Sequence, residues 1–431
     1  MATVTIEQLD PALLQLVKEE ITKVFEEEAE GWKLFKRNTS AEFINGKGFR
    51  IPIHTTPPGG HTWFSENASD FRAPVPYKLK DMYVFPTAYA LPFEFSGRAI
   101  RNMKDKSSLI KWFAEQLQMY LSTATKEVEE QLPYDGRGIK AIVGTGAGTG
   151  AGTLVLLGRQ APAALAGSTK GTKYLVVDNQ YDIINPTTGL ARASGPYTVT
   201  AAGPTQVSVT GVPGPATVLD AAVQDGDLVV HGGGYNKAFR GLAYLINNGT
   251  DVLQLLSRAD FPELRSPVTD LAGASLGPAA FSITKAKLQY RIGKDAGAKN
   301  LIAFLTWGQY EFLRRQGQGL RRFMNSDTVD GIAGTYTDGD TTFAPNVNLD
   351  EDRVYLLDMT DVQRYVEMDF GIYDLDGQTI RMKLGAQGVG SDKYAGAVGV
   401  SMNLGITSPM RHALIKRAAV SDIATQVNSY T

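Results

Sequence analysis

The pentapeptide Gly273–Gly277, GASLG, matches G-x-S-x-G, the pattern that presents a serine as a nucleophile. Ser275 would then attack an acyl carbon while a histidine took its proton. That chemistry needs a buried strand before the serine and a helix after it, so that the backbone turns sharply and lifts the hydroxyl. The preceding stretch, RSPVTDLA, reads as a loop, and His412 is the only histidine that follows. A chance match in a chain with 45 glycines is the competing reading. No histidine belongs to an H-E-x-x-H pattern, and His54 and His61 read as polar loop residues. DLDG at Asp374–Gly377 lacks the further oxygen ligands of a calcium loop. The residues predict no catalytic group, cofactor site or metal site.

A second candidate is VGTGAGTGAGT, Val143–Thr153, in which Gly144, Gly146, Gly148, Gly150 and Gly152 alternate with Thr and Ala. A phosphate-binding loop needs a lysine followed by Ser or Thr, and no lysine lies between Lys140 and Lys170. A dinucleotide fingerprint needs glycines at offsets zero, two and five, and here the fifth offset is Thr or Ala. The run has little side chain to pack and a high entropy cost to order, so it is expected to be a hinge or linker. Two arginine pairs, Arg314 with Arg315 and Arg321 with Arg322, suit bidentate bonds to carboxylates across a subunit boundary. Contact with nucleic acid phosphate is the alternative.

With 431 residues the chain holds two or three domains, and 20% charged residues with a net charge of -2 argue against a binder driven by bulk positive charge. There is no cysteine, which removes disulfides and thiolate sites and fits synthesis in a reducing cytoplasm. No apolar run is long enough to span a membrane. Asp10 and Pro11 start a helix whose apolar face is Leu14, Val17, Ile21, Val24 and Phe25, followed by the acidic Glu26, Glu27 and Glu28.

From Phe43 to Ile100 the period changes to two, with prolines and a turn-rich centre. This predicts a long hairpin, marginal by itself and therefore lying on another surface. Trp63, Phe64, Phe71, Arg50 and Arg72 are its candidate contact residues. Ser107 to Leu132 predicts a helix roughly 39 Å long, with Ile110, Phe113, Leu117, Tyr120, Leu121, Ala124, Val128 and Leu132 as its stripe. Thr153 to His231 reads as short strands with Gly, Pro and Asn-Pro turns, a small β-barrel or sandwich. After it come mixed α/β elements: a helix in AFSITKAKLQYRI, a buried strand in NLIAFL, a helix in WGQYEFLRRQ, and a strand in DRVYLLD. Two antiparallel strands follow in QTIRMKL and KYAGAVGVSMNLG.

This order resembles the major capsid proteins of tailed bacteriophages, the Hong Kong 97-like fold. GFRIPIHTT…HTWFSE…MYVFPTAYALPFEFSGRAI is similar to that family's E-loop, and SSLIKWFAEQLQMYLSTATKEVEEQL to its spine helix. GLAYLINNGT…LSRADFPELRSPV, NLIAFLTWGQYEFLRRQG and KYAGAVGVSMNLGITSPMRHALIKRAA resemble its axial and peripheral segments. The resemblance implies an α+β chain divided into an N-terminal helical arm (1–42), E-loop (43–100), spine helix (101–143), glycine hinge (144–152), inserted barrel or sandwich (153–231), axial domain (232–375), and peripheral strands with tail (376–431).

It also implies a non-enzymatic shell protein of the virion, assembled in the host cytoplasm as hexamers and pentamers around double-stranded DNA contacted without sequence preference. Portal and cement proteins would be further partners, and no membrane is involved. Because 42 residues precede Phe43, it points to a separate scaffolding protein or to a chain already trimmed. No covalent cross-link is predicted for Lys47, Lys78 or Lys80. The alternatives are a serine hydrolase using Ser275 and another virion part, a tail tube or spike.

Overall fold

The computed structural model describes residues 30–44, 46–56, 59, 73, 75–96, 106–144, 153–159, 169–192, 196–203, 206–211, 223–292, 301–321, 337–338, 341–373, 381–384 and 390–418. The predicted helix around Leu14 to Phe25 lies outside them. The chain forms two compact units, each assembled from three separated segments. The first comprises Met1–Leu132, Gly249–Arg265 and Met359–Pro409, and the second Pro133–Asn248, Ser266–Asp358 and Met410–Thr431.

The first unit is built around the 16-residue strand Gly390–Gly405. Thr87–Ser96 pairs antiparallel along one side of it, from Met402↔Thr87 to Lys393↔Ser96 without a slip. Gln363–Ile372 and Arg381–Leu384 share its other side. Glycine is required where rings cross this strand: a Cβ on Gly399 would collide with the Tyr373 ring, and one on Gly405 with Tyr365. The helix Lys106–Gln131 packs on this sheet, with Phe93 and Tyr120 rings 5.8 Å apart. Leu121, Ala124, Val128 and Leu132 are buried, the last four positions of the predicted stripe. The short helix Glu30–Lys33 is held to the long one by Trp32, whose Nε1 donates to the Val128 carbonyl at 2.9 Å. The Glu129 carboxylate accepts the Gly31 N–H at 2.9 Å, placing a negative charge at the positive end of that short helix.

The second unit contains two β-structures. A six-stranded sheet runs in the order Val268–Asp270, Ala413–Lys416, Val354–Asp358, Leu301–Leu305, Thr341–Pro345, Thr337–Asp338. The central Val354–Asp358 is buried throughout, which explains its unbroken apolar run. Helices Pro278–Ile292 and Trp307–Arg321 flank the sheet, and Phe281, Leu288, Leu313 and Phe343 share one core. The other structure is a closed barrel in the order Gln206–Gly211, Thr153–Leu157, Ile139–Val143, Leu228–His231, Gln180–Ile184, Tyr197–Ala202. Alternate residues fill it: Ala141 and Val143, Leu154 and Leu156, Tyr181 and Ile183, Tyr197 and Val199, Val207 and Val209.

The sequence-based divisions change at three places. The barrel begins at Ile139, because Ile139–Val143 pairs with both Thr153–Leu157 and Leu228–His231. The glycine run therefore joins two neighbouring strands of one barrel, not two domains. Gly144 donates its N–H to the Val155 carbonyl at 2.8 Å, and Gly146, Gly148, Gly150 and Gly152 lie outside the described residues. Segments 249–265 and 363–372, expected in the axial part, belong to the first unit, while Ala413–Lys416 joins the sheet of the second. Local patterns identify strands, but pairing between strands distant in sequence decides which sheet each one enters.

Candidate assembly surface

Gly48–Thr56 and Lys78–Val84 form the hairpin predicted between Phe43 and Ile100, with a register running from Phe49↔Val84 to Thr56↔Lys78. A bridge between Gly59 and Val75 carries the pairing further. Thr87–Ser96, expected as part of the loop, is instead a full strand of the main sheet. Alternation gives the hairpin two faces. One carries Phe49, Ile51, Ile53, Met82 and Val84, all buried. The opposite face carries the Arg50–Asp81 ion pair at 2.9 Å. The hydrogen bond to Asp81 raises the Arg50 pKa above its ordinary value. Further out on that face Val75, Tyr77 and Leu79 are all at least half exposed, at 50%, 55% and 51%. Lys78 and Lys80 alternate with them and are exposed too. This strip is legible in the sequence as period two in VPYKL.

At the foot of the hairpin lies an open cleft of about 590 Å³ lined by Asn38, Ser40, Glu42, Arg50, Tyr365 and Thr407, among others. Asn38 organises one wall: its Nδ2 donates to Gln363 Oε1 at 2.6 Å and to the Tyr365 hydroxyl at 3.2 Å, and its Oδ1 accepts the Ala41 N–H at 2.8 Å. Burial pushes the Tyr365 hydroxyl up to about 12, so it stays protonated and able to donate. Asp361 accepts from the Thr407 hydroxyl and from the Ser408 N–H and so fixes the far wall.

Inside the second unit a buried polar cluster joins barrel and sheet. The Arg159 guanidinium lies 4.0 Å from the Tyr134 ring centre and 3.4 Å from that of Tyr174, a stacked cation–π arrangement. Tyr134 donates to Asp350 at 3.0 Å, and burial raises its hydroxyl well above the ordinary value. Desolvation also raises the Asp352 carboxyl to about 6, against the opposing pull of Arg353.

The remaining sequence candidates are not brought together. Ser275 is exposed, and the left-handed residues of its turn are Ala272 and Gly273, with φ of 49° and 91°. The stretch read as a loop before it contains a strand, Val268–Asp270, at the edge of the six-stranded sheet, and the helix Pro278–Ile292 follows, but the backbone bends before the serine and not at it. His412 is fully buried, and its Nδ1 accepts the Asp358 N–H at 3.1 Å inside the sheet. Arg314 and Arg315 both face Glu311 of their own helix, with Nε–carboxylate distances of 2.8 and 3.0 Å. The Arg321 side chain and all of Arg322, Trp63, Phe64, Phe71, Arg72 and His61 lie outside the described residues. His231 stacks on Tyr181 with centroids 5.0 Å apart. Among the described residues no group of three or more His, Cys, Asp or Glu is placed to hold a metal ion, and no helix is long and apolar enough to cross a membrane.

No family model and no curated protein matches the chain. Solved structures do match it. The capsid asymmetric unit of cyanophage A-1(L) matches at 11% identity with a TM-score of 0.49, over 91% of this chain and 93% of that one. The capsid of Myoviridae phage XM1 matches at 8% identity and 0.44, over 90% and 91%. The capsid of a native GTA particle matches at 10% and 0.41, over 91% of both chains. All three scores lie below 0.5, and the function is inferred from this chain's own elements.

Proposed function

We propose that the chain is the major capsid protein of a tailed double-stranded DNA bacteriophage, with a Hong Kong 97-like fold. Hexamers and pentamers of it close an icosahedral shell around the genome. The observation that carries this reading is the hairpin. Its inner face is buried only near its foot, while its outer strip of Val75, Tyr77 and Leu79 faces solvent. An isolated two-stranded ribbon is marginal in water, and an open edge with apolar side chains is a template for another chain. A neighbouring copy lying against it supplies the missing cover, and repetition of one such contact closes a ring.

The long helix packed on a sheet assembled from distant strands supports the same reading as a stiff beam. The scaffolding, portal and cement partners, the non-specific contact with DNA and assembly in the host cytoplasm follow from the resemblance in the sequence. A catalytic reading through Ser275 finds no support in the turn geometry, and the rigid helical beam is foreign to the β-dominated tail-tube and spike alternatives.

Negative-stain electron microscopy with light scattering, on the purified chain with and without a scaffolding protein, tests the proposal. Closed shells, or rings of five and six subunits, are expected. Tubes would transfer the chain to the tail. Ester hydrolysis abolished by Ser275→Ala, in a chain that never associates, would overturn the proposal.

A further inference from the structure

We propose that the outward side of the helix Pro278–Ile292 receives residues 14–27 of a second copy of this chain, docked as a parallel helix. The inference rests on the capsid reading and deepens it.

The helix Pro278–Ile292 is apolar on two opposite sides. Ala280, Phe281 and Leu288 are buried against its own sheet. With about 3.6 residues per turn, the reverse side carries Ala279, Ile283, Ala286 and Tyr290. All four are exposed, Ile283 at 52% and Tyr290 at 91%. A helix lying on the surface of a globular unit ordinarily turns polar side chains to water there, so an apolar stripe marks a contact made outside the copy. The helix contains no acidic residue. Lys287 and Arg291, one turn apart, border the stripe on one flank. The Lys287 ammonium donates to the Val268 carbonyl at 3.0 Å and to the Thr269 hydroxyl at 3.2 Å, and no carboxylate among the described residues lies within ion-pair distance of it.

The occupant must therefore be apolar on one side and acidic beside it. Residues 1–29 lie outside the described residues, and their sequence holds seven acidic residues against Lys18 and Lys23. It predicts a helix with Leu14, Val17, Ile21 and Val24 on one side. Glu20 and Glu27 border that side, each one turn from Val24. The other long helices offer no such face. Lys106–Gln131 buries Leu121, Ala124 and Val128 in its own unit, and Trp307–Arg321 carries three arginines against one glutamate.

The two faces match in one alignment. With the helices parallel and Leu14 beside Ala279, Ile21 falls beside Ala286, and Val17 and Val24 fall within one residue of Ile283 and Tyr290. Each alanine then leaves a gap for a branched side chain of the segment, and each large side chain of the helix meets a smaller valine. The same alignment sets Glu20 about 3 Å along the axis from Lys287, and Glu27 about 1.5 Å from Arg291. In the antiparallel orientation the flank with Lys18 would face the two basic residues, a like-charge contact. Stripe and segment are unlike patches, so the contact is head-to-tail, the type that closes into rings.

The absence of cysteine from the chain permits a direct test. Full-length Ile21→Cys and Ala286→Cys chains are assembled together, with scaffold present, and treated with a short bismaleimide. The expected product is a dimer joining the two different variants. It should be absent when either is assembled alone, and when Lys23→Cys, on the opposite side of the predicted helix, replaces Ile21→Cys. A second experiment exchanges charge. Arg291→Glu should keep the wild-type melting temperature and lower the yield of closed particles at least tenfold, and adding Glu27→Lys should restore it. Mixed particles without the cross-link, a wild-type yield from Arg291→Glu, or a double variant no better than Arg291→Glu would overturn the inference and leave the capsid reading standing. A wild-type chain that forms neither shells nor rings with scaffold present would remove both.

Discussion

The barrel of the second unit and the hairpin of the first are both made of short alternating strands, and they solve the edge problem in opposite ways. The barrel pairs every strand on both sides and turns one residue in two into a shared interior. Its rim is tied by Arg192 and Asp227, bonded through two contacts at 2.9 and 2.7 Å, with the Asp227 carboxylate also accepting the Gln224 N–H at 2.8 Å. The hairpin buries one face only, and its exposed outer strip has no counterpart in its own unit's core. Closure satisfies both backbone and side chains within one copy, whereas an open ribbon leaves part of its stabilisation to be supplied by another molecule.

Four experiments bear on this contrast. The largest effect is expected from removing residues 57–76, which lie in the chain between the paired strands Gly48–Thr56 and Lys78–Val84. The subunit should keep its circular dichroism and its melting temperature and form no shells at all. Normal shells from this deletion would break the contrast at its root.

Ile183→Ala, which empties part of the barrel core, should do the reverse. It should cost about 2–5 kcal/mol, seen as loss of hydrogen-exchange protection in the barrel strands, and lower particle yield only through misfolding.

Asp352→Asn sharpens the comparison through pH. The Asp352 carboxyl is raised from 3.8 to about 6 in the fold, so between those values the folded chain binds more protons than the unfolded one. Stability from this group is therefore full below pH 3.8 and lost as pH rises through about 6. The substitution should stabilise the second unit at pH 8 by on the order of 2–3 kcal/mol and flatten its melting profile between pH 4 and 7. A wild-type profile already flat over that range would contradict the buried carboxyl.

The smallest effect is expected from Arg50→Ala. This exposed pair with Asp81 should leave the melting temperature of the isolated chain unchanged, while assembly at low salt weakens if the outer face of the hairpin meets another copy.

Much of the architecture was legible before the structure. The long helix, the period-two strands of the hairpin, the buried runs NLIAFL and VYLLD, and a small β-structure after the long helix all follow from local periodicity. The site was less legible. Trp63, Phe64 and Phe71 lie outside the described residues, while the exposed strip is Val75, Tyr77 and Leu79. Nothing in DVLQLLS announces the turn at Gln254 and Leu255, whose φ angles are 47° and 72°, since neither Gly, Asn nor Pro stands at its corner. The bonds from Tyr83 and Ile406, residues remote in sequence, hold Gln254 in place. Ser275 and His412 showed the opposite failure, a motif without its geometry.

The amino-acid sequence alone determined the long helix and the strands with a marked period or apolar run, and which side of each is apolar, because burial on one face imposes a period of two or 3.6 on neighbouring residues. It also determined that thiol chemistry is absent. Only the tertiary structure decided that the glycine run closes a hairpin inside a barrel, that Gln363–Ile372 and Ala413–Lys416 enter different sheets, and that a leucine is held outward in a left-handed turn. The physical reason is the same in each case. Strand pairing and buried hydrogen bonds join residues far apart in the chain, and their register is set by the fit of whole surfaces, which no local pattern records.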